Sequence, residues 1–209
     1  GLNRIHAIFG VSEYCVATHP SDMCVALAAL EAVVHVLGRG GARTIEFADF
    51  HRLPGDTPER ESVLEPGDLI VAVRLPAEAR NFAAHARYLK VRERTSYAFA
   101  VVSAVASLKI EQGVITDARL ALGGVAAKPW RAREAEDALK GAHPERCTYR
   151  WAAEAALAGA RPSGNNAFKI ELAQRIIVRA LTVAAAGTPA RVPALPASPF
   201  STPAGAHNH

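Results

Sequence analysis

Two segments of the chain bring together side chains whose types and spacing could do chemistry. The first spans residues 12–22 and ends in His19-Pro20-Ser21-Asp22. Pro20 disfavours helix at the residue before it, and Ser21 or Asp22 can cap a helix that starts there. Free N–H groups at such a helix start can bind phosphate or polyol oxygens. A simple helix cap, with Asp22 offsetting the helix dipole, would explain the same residues.

The second segment is Lys90-Val91-Arg92-Glu93-Arg94-Thr95-Ser96-Tyr97, which carries three cations, one anion and an aromatic ring. A cation beside a cofactor ring would stabilise the negative charge that the ring gains on reduction. A solvated charged loop is the alternative interpretation of the same composition.

The familiar catalytic signatures are absent from the sequence. It contains no Gly-x-Ser-x-Gly elbow, no glycine-rich phosphate loop, and no His-x-x-x-His or Cys-x-x-Cys zinc pair. The three cysteines, Cys15, Cys24 and Cys147, are an odd and widely spaced set that does not suggest internal disulfides. We therefore expect a cofactor or a partner protein to supply the reactive atoms.

Composition restricts the class of protein. Half of the 209 residues are hydrophobic and 21% are charged, which excludes a fully disordered chain and a disulfide scaffold. The net charge of +4 is spread along the chain and aromatic residues make up only 6%, so a nucleic-acid surface with stacking platforms is disfavoured. A phosphorylated cofactor or an acidic partner subunit fits this charge at least as well.

The hydrophobic pattern predicts a chain of mixed helices and strands. Apolar residues from Met23 to Leu37 recur with helical spacing, and the continuous run Leu69–Leu75 is typical of a buried strand. Further strands are predicted at 44–47, 86–91, 99–110 and 114–123, and helices at 131–139, 151–158 and 168–186. Residues 76–85 are the predicted domain boundary, and the proline-rich residues 187–209 are predicted to form a disordered tail.

Longer phrases of the sequence resemble one protein family. They are residues 1–10 with Cys15 and His19-Pro20-Ser21-Asp22-Met23, then 66–70, 90–100 and 122–131. Together they resemble the flavoprotein, or medium, subunit of bacterial molybdenum-containing aldehyde oxidoreductases, which belong to the xanthine oxidase family. The resemblance runs in the correct order from Gly1 to about Ala186.

The resemblance implies an α+β fold in two parts. Residues 1–80 correspond to the C-terminal part of a two-subdomain FAD-binding domain of the molybdopterin dehydrogenase type. Residues 81–186 correspond to a CO-dehydrogenase-flavoprotein-like C-terminal domain, in which a three-stranded antiparallel sheet packs with a three-helix bundle. The family's glycine-rich loop for the FAD pyrophosphate is not in this sequence, so either the chain is a fragment or that part lies on sequence outside it.

Eight residues match the flavin contacts of the family, and the resemblance implies their roles. They are Ser12, Val16, Thr18, Asp22, Ile70, Lys90, Arg94 and Tyr97. The first four would line the loop at the ribityl and ring side of the flavin, where the aspartate forms hydrogen bonds. The isoleucine would pack on the isoalloxazine with the lysine nearby, and the last two would lie in a mobile loop beside the ring.

Cys15 has a separate implied role. In the aldehyde oxidoreductase subgroup, the flavin subunit carries an extra iron–sulfur cluster in a cysteine-rich insert before the segment that matches Gly1. By this resemblance Cys15 would be the last ligand of a [4Fe-4S] cluster whose other ligands lie upstream of residue 1. A small buried packing residue is the alternative, and Cys24 and His19 are expected to be structural.

The function implied by the resemblance is electron transfer by an oxidoreductase subunit that is active only within a complex. Electrons would pass from a molybdenum cofactor on a large partner subunit, through [2Fe-2S] clusters on a small one, to FAD and an external acceptor. The assembly would be a heterotrimer or a dimer of heterotrimers. A truncated, non-catalytic docking or assembly module is the alternative. The expected location is the cytoplasm, or the periplasm by export together with a signal-bearing partner.

Overall fold

The structure is a computed structural model that describes residues 3–190. Its first half comprises α1 (Asp22–Ala29), β1 (Val33–Gly38), β2 (Gly41–Glu46), α2 (Phe47–Phe50) and β3 (Leu69–Arg74). A 3-10 helix (Ala77–His85) leads into the second half, which comprises β4 (Ala86–Val91), β5 (Val102–Glu111), β6 (Val114–Gly123), β7 (Trp130–Arg131), α3 (Arg133–Leu139), α4 (Arg146–Leu157) and α5 (Phe168–Ala185). The fold is α+β, which confirms the prediction.

All strand pairs are antiparallel, and they form two sheets. The first sheet has the order β2-β1-β3, and the second has the order β4-β5-β6-β7. Within the described residues, no helix is long and apolar enough to cross a bilayer.

The second sheet separates two hydrophobic cores. Along β5, Ala104, Ala106 and Leu108 belong to the core shared with α3, α4 and α5, whereas Val105 belongs to the core shared with α1. This alternation follows from the two-residue period of a strand, whose successive side chains point to opposite faces.

The larger core lies between this sheet and the three C-terminal helices. Fully buried alanines, among them Ala135, Ala152 and Ala180, let the helix backbones approach the sheet closely. Leu120 and Leu122 of β6 are also fully buried in this core. Burying each leucine contributes about 2 kcal/mol, so this layer supplies much of the stability of the second half.

The smaller core joins the two halves of the chain. Val25 of α1, Val34 and Val36 of β1 and the two phenylalanines of α2 pack together with Val105 and Ala121 from the second sheet. Helix α1 therefore lies directly on β5 and β6, and its buried residues share a core with residues of β1.

The predicted helix at 23–37 is wrong in its second half. Helix α1 ends at Ala29, Glu31 takes a left-handed backbone with φ of 53°, and the β-branched Val33 and Val34 open strand β1. The carboxylate of Glu31 forms ion pairs with Arg119 and Arg131 from the second sheet. These ion pairs hold Glu31, the residue at which the helical pattern is interrupted. Because both arginines lie far from Glu31 in sequence, the local pattern does not indicate the interruption.

Three further predictions need correction. Strand β3 exists but is exposed along its whole length rather than buried. The C-terminal sheet has four strands rather than three, because β7 pairs with the end of β6, and helix α3 consequently begins at Arg133. Helix α4 begins earlier than predicted, at Arg146. Most of the predicted tail, residues 191–209, lies outside the described residues.

Candidate functional site

A pocket of about 770 Å³ opens at the N-terminus of α1. Its wall is formed by the loop before α1, by residues 93–101 after β4, and by Gly123 and Gly124 at the end of β6. Four of the predicted site residues, Thr18, Asp22, Arg94 and Tyr97, lie in this wall. The volume is in the range of small-molecule sites, and we call this cavity the Asp22 pocket.

The carboxylate of Asp22 is held by two donors from strand β4. The Tyr88 hydroxyl donates to Oδ1 at 2.7 Å, and Lys90 Nζ donates to Oδ2 at 2.6 Å. Tyr88 and Lys90 reach the same carboxylate because alternate residues of a strand point to one face. The Asp22 side chain nevertheless stays 44% exposed, so its oxygens have lone pairs left for a ligand.

The start of helix α1 and the Tyr88 phenol surround the Asp22 carboxylate. Ser21 caps α1 by accepting a hydrogen bond from the Cys24 amide at 3.2 Å, so the carboxylate lies at the positive end of an eight-residue helix. Burial raises the pKa of Tyr88, and the Asp22 carboxylate raises it further, so the phenol remains a hydrogen-bond donor at neutral pH.

Gly123 sets the distance between α1 and the sheet. Lys90, Ser103 and Gly123 are paired across β4, β5 and β6. A Cβ atom on Gly123 would lie 2.4 Å from Ser103 Oγ and 2.6 Å from Val25 Cγ2. Only glycine therefore lets α1 lie this close, and the close approach brings Asp22 within hydrogen-bond distance of β4.

The loop after β4 places exposed aromatic rings at the mouth of the pocket. Arg94 holds the loop by donating from its guanidinium to the Tyr97 carbonyl, with the Nε–O distance at 3.0 Å. Tyr97 has a φ of 49° and is 96% exposed, and Phe99 is 73% exposed. Unpacked aromatic rings at the mouth of a pocket are suited to pack against a planar ligand.

The other four predicted residues, Ser12, Val16, Ile70 and Lys90, lie outside the wall of the Asp22 pocket, and Lys90 reaches it through its contact with Asp22. Ser12 and Val16 belong to the same N-terminal loop, where the Ser12 hydroxyl accepts from the Tyr14 amide. Ile70 lies on β3 in the other sheet, paired with Val36 and 44% exposed. The structure does not bring these three residues to the pocket, and their flavin contacts stay predictions.

Cys15 lines a separate small cavity of about 60 Å³ on the other side of the same loop. Its sulfur accepts a hydrogen bond from the Ala17 amide at 3.4 Å. Among residues 3–190, Cys15 belongs to no group of three metal-ligating side chains. Its role as an iron–sulfur ligand stays a prediction that depends on residues outside this sequence.

Two buried residues missed by the sequence analysis form part of the support of the pocket. Lys169 of α5 is fully buried, and its ammonium donates to the carbonyls of Ile5, His6 and Gly124, all of which belong to pocket-lining residues. Burial lowers the pKa of Lys169 to about 8. Asn166, also fully buried, donates to the carbonyls of His6 and Ala7.

Tyr88 was missed as well, although its place two residues before Lys90 in a predicted strand is a usable signal. No comparable signal marks Lys169, because a lysine on a helix is ordinarily solvated. His19, which the sequence analysis treated as structural, lines the Asp22 pocket, and its ring lies edge-on to His51 with the centroids 4.4 Å apart.

Comparison with known protein families gives two matches along the chain. Residues 12–78 match the FAD binding domain in molybdopterin dehydrogenase. Residues 87–184 match the CO dehydrogenase flavoprotein C-terminal domain. The Asp22 pocket lies between the two matched parts, since Asp22 belongs to the first and Lys90 to the second.

Proteins of known name are similar to most of this chain. The chain is 45% identical over 187 residues to the aldehyde oxidoreductase FAD-binding subunit PaoB of Escherichia coli, which covers 89% of this chain and 55% of PaoB. It resembles a chain of quinoline 2-oxidoreductase from Pseudomonas putida 86, with a TM-score of 0.65 and 26% identity, over 87% of this chain and 59% of that one.

A chain of carbon monoxide dehydrogenase from Hydrogenophaga pseudoflava gives a TM-score of 0.70 and 28% identity, over 80% of this chain and 57% of that one. The sequence therefore spans little more than half the length of these relatives.

Proposed function

Because the chain belongs to the family that joins the FAD-binding domain of molybdopterin dehydrogenases to the CO dehydrogenase flavoprotein C-terminal domain, we propose that it binds FAD and transfers electrons in a molybdenum-containing oxidoreductase. The observation that carries this proposal is the Asp22 pocket. Its wall contains the Asp22 carboxylate, which Lys90 fixes from outside the wall, and two exposed aromatic rings.

The residues of the pocket fit the flavin end of FAD. Asp22 would accept hydrogen bonds from flavin hydroxyl or ring N–H groups through its exposed lone pairs. Lys90 would offer positive charge on the same side, and Tyr97 and Phe99 would cover the planar ring. FAD, once bound, supplies the ability to accept and release one or two electrons, which this chain's own side chains lack.

The chain's own residues would orient the flavin by holding the walls of the pocket. Gly123 brings α1 against the sheet, and Lys169 holds Ile5 and His6 in the opposite wall. Lys90 offsets the charge of the Asp22 carboxylate, so a reduced ring that gains negative charge would not face an uncompensated anion. The eight-residue helix α1 adds the positive end of its dipole at the same point.

The activity of the whole assembly is part of the proposal. The name of PaoB supports an aldehyde oxidoreductase, in which a large molybdenum-cofactor subunit and a small [2Fe-2S] subunit would accompany this chain. Electrons would enter the flavin from the clusters and leave to an external acceptor. A [4Fe-4S] cluster that includes Cys15, and a location in the cytoplasm or, after joint export, in the periplasm, belong to the same proposal.

The test measures flavin in the full chain purified together with the subunits that accompany it. We expect about one FAD per chain, identified by its absorption bands and by extraction. Asp22→Asn removes the acceptor charge, so the dissociation constant of FAD should rise about tenfold, which corresponds to the loss of one charged hydrogen bond. Asp137→Asn, at a carboxylate 76% exposed on α3, is the matched control and should leave the constant unchanged.

Two results would contradict the proposal. A wild-type preparation without flavin would leave the docking or assembly module as the better function. Flavin that binds equally well to the wild-type protein and to Asp22→Asn would show that the Asp22 pocket is not the flavin site.

A further inference from the structure

Three side chains of metal-ligating types meet beside the Asp22 pocket. His19 comes from the loop before α1, Cys24 from the first turn of α1, and His51 from the residue after α2. One ligand atom from each lies within 4.8 Å of the other two, and all three side chains are half-buried. We call this group the His19–Cys24–His51 cluster.

Two nitrogens of the cluster lack partners inside the protein. His19 Nε2 and His51 Nδ1 are both buried, and neither forms a hydrogen bond within the described chain. A buried polar atom without a partner costs about 1–3 kcal/mol, and such atoms are rare in folded proteins. A metal ion bound by the two imidazole nitrogens would remove this cost.

The third ligand comes from the first turn of α1. Cys24 is a free, half-buried cysteine at that position. Its amide is fixed by the hydrogen bond to Ser21 Oγ at 3.2 Å. Cys24 is therefore held by its backbone while the sulfur faces the two histidines.

The two histidines are held by their surroundings as well. The His19 amide donates to the Ala126 carbonyl at 2.8 Å. His51 pairs with Ser62 in an isolated β-bridge, and its ring lies edge-on to Phe47 and Phe50 with centroids 5.3 and 4.9 Å away. Ligands that are fixed before the metal arrives lose little entropy on binding it.

The immediate surroundings leave space for a fourth ligand. The cavity of about 60 Å³ beside His19 is also lined by Glu61 and by two cations, Arg52 and Arg60. This volume is sufficient for a water molecule with polar neighbours. Because the cavity carries no net negative charge, a neutral water is the expected fourth ligand.

We propose that His19, Cys24 and His51 bind one zinc ion, with a water molecule as the fourth ligand. Two imidazoles and one thiolate form a donor set that zinc favours in tetrahedral geometry. Zinc–ligand bonds of 2.0–2.3 Å require ligand atoms about 3.3–3.6 Å apart, so the cluster would contract by about 1 Å on binding. The ion would tie the start of α1, and the loop before it, to the residue that follows α2, and its role is structural.

The first experiment counts metal in the full chain, purified without a polyhistidine tag and with any subunits that accompany it. Inductively coupled plasma mass spectrometry separates zinc from iron and molybdenum. We expect about one zinc per chain after equilibration with zinc and buffer exchange. Cys24→Ser and His51→Gln should each weaken zinc affinity by about 100-fold or more in competition with a chelating dye.

Matched controls separate the cluster from surface binding. Cys147→Ser and His143→Gln change a cysteine and a histidine outside the cluster, and both should retain the zinc of the wild-type protein. The flavin content of each variant is measured in parallel, so that loss of zinc with FAD retained shows a folded variant. The proposal does not rest on the flavin site.

A second experiment uses only the wild-type chain and therefore does not depend on how a variant folds. Zinc should slow the alkylation of Cys24 by iodoacetamide about tenfold or more, while the exposed Cys147 should react at an unchanged rate, as read by peptide mass spectrometry. Equal alkylation of Cys24 with and without zinc would overturn the proposal. Zinc affinity that survives both Cys24→Ser and His51→Gln would overturn it too.

Discussion

Asp22 shows how the neighbours of one carboxylate leave it ready for a ligand. Tyr88 and Lys90 bind its two oxygens at 2.7 and 2.6 Å, which fixes the rotamer. The pair with Lys90 is partly exposed, since the Asp22 side chain is 44% accessible and the Lys90 side chain 18%. Its net contribution to stability is therefore modest, about 1 kcal/mol, and its main effect is to orient the charge.

The first prediction concerns the hydroxyl of Tyr88. Tyr88→Phe removes one hydrogen bond to a charged acceptor, so the free energy of unfolding should fall by about 1 kcal/mol in urea titrations. FAD binding should weaken as well, because Asp22 is then free to take other rotamers. Tyr14→Phe, at a ring 66% exposed, is the control and should change neither quantity. An unchanged FAD affinity in Tyr88→Phe would contradict the positioning role.

At the scale of residues, the sequence predicts only those features that depend on neighbours a few positions away. The turn from His19 to Asp22 and the helix start at Ser21 follow from proline and capping chemistry, which act within a few residues. The partners of Asp22 lie 66 and 68 positions away, and only the strand pairing brings them together. The same holds for the His19–Cys24–His51 cluster, because its spacing matches no metal motif.

Helix α1 is the element on which the candidate site depends. It has only eight residues, fewer than an isolated helix needs in water, so its stability comes from packing against β5 and β6. Gly123 makes that packing possible, since a Cβ there would overlap Val25 and Ser103. The position of Asp22 is therefore set by a residue that has no side chain.

The second prediction tests this contact. Gly123→Ala should lower the free energy of unfolding by about 2 kcal/mol and weaken FAD binding, because α1 must move away from the sheet. Gly40→Ala places the same methyl group in open space and should stay within about 0.5 kcal/mol of the wild-type protein. Equal unfolding midpoints for the two variants would show that α1 tolerates the displacement.

The third prediction concerns Lys169, which joins α5 to the N-terminal segment. Lys169→Met removes the donor of the Ile5 and Gly124 carbonyls and one of the two donors of the His6 carbonyl, so it should lower the free energy of unfolding by about 2 kcal/mol at pH 7. The pKa of Lys169 is about 8 in the folded chain, against 10.5 for an ordinary lysine. Between these two pH values, the Lys169 amine is protonated in the unfolded chain and largely neutral in the folded chain. Stability from this residue therefore rises with pH across that window.

The measurement is urea unfolding of the wild-type protein and of Lys169→Met at pH 7 and pH 10. The difference in unfolding free energy between them should grow by about 2 kcal/mol over this range. Other titrating groups are common to both proteins and cancel. A difference that is constant or shrinks with pH would contradict the lowered pKa.

The bounds of helices and strands could be predicted where the spacing of apolar residues fits only one of the two. The strands at 86–91 and 114–123 and the helix that begins at Phe168 lie within a residue of their predicted bounds. The stretch 23–37 was ambiguous, since its apolar spacing suits a helix while Val33, Val34 and Val36 favour a strand. The break at Glu31 depends on arginines of the second sheet, which no local pattern contains.

On the scale of the whole molecule, the two sheets differ in how well they are covered. The second sheet has hydrophobic cores on both faces, whereas β2 and β3 of the first sheet are exposed almost throughout. A continuous apolar run such as Leu69–Val73 ordinarily indicates a strand buried on both faces. Sequence alone could not show that nothing within residues 3–190 covers it.

The fourth prediction follows from this difference. In hydrogen-exchange mass spectrometry, the amides of β5 should exchange about 100-fold or more slowly than those of β3, because β5 opens only when both cores open. The purified full chain should be measured at several concentrations. Protection of β3 equal to that of β5 at every concentration would contradict the exposed first sheet.

Strand β5 takes part in both hydrophobic cores, and this affects what proteolytic cleavage of the chain would produce. Ala104 and Val105 are neighbours in sequence but belong to different cores, and Val105 with Ala121 completes the core that surrounds α1. A protease that cleaved within Ala77–His85 would therefore leave two fragments held together by shared interior surface. The two pieces should co-elute as one nicked particle, and when expressed separately they should require each other to fold.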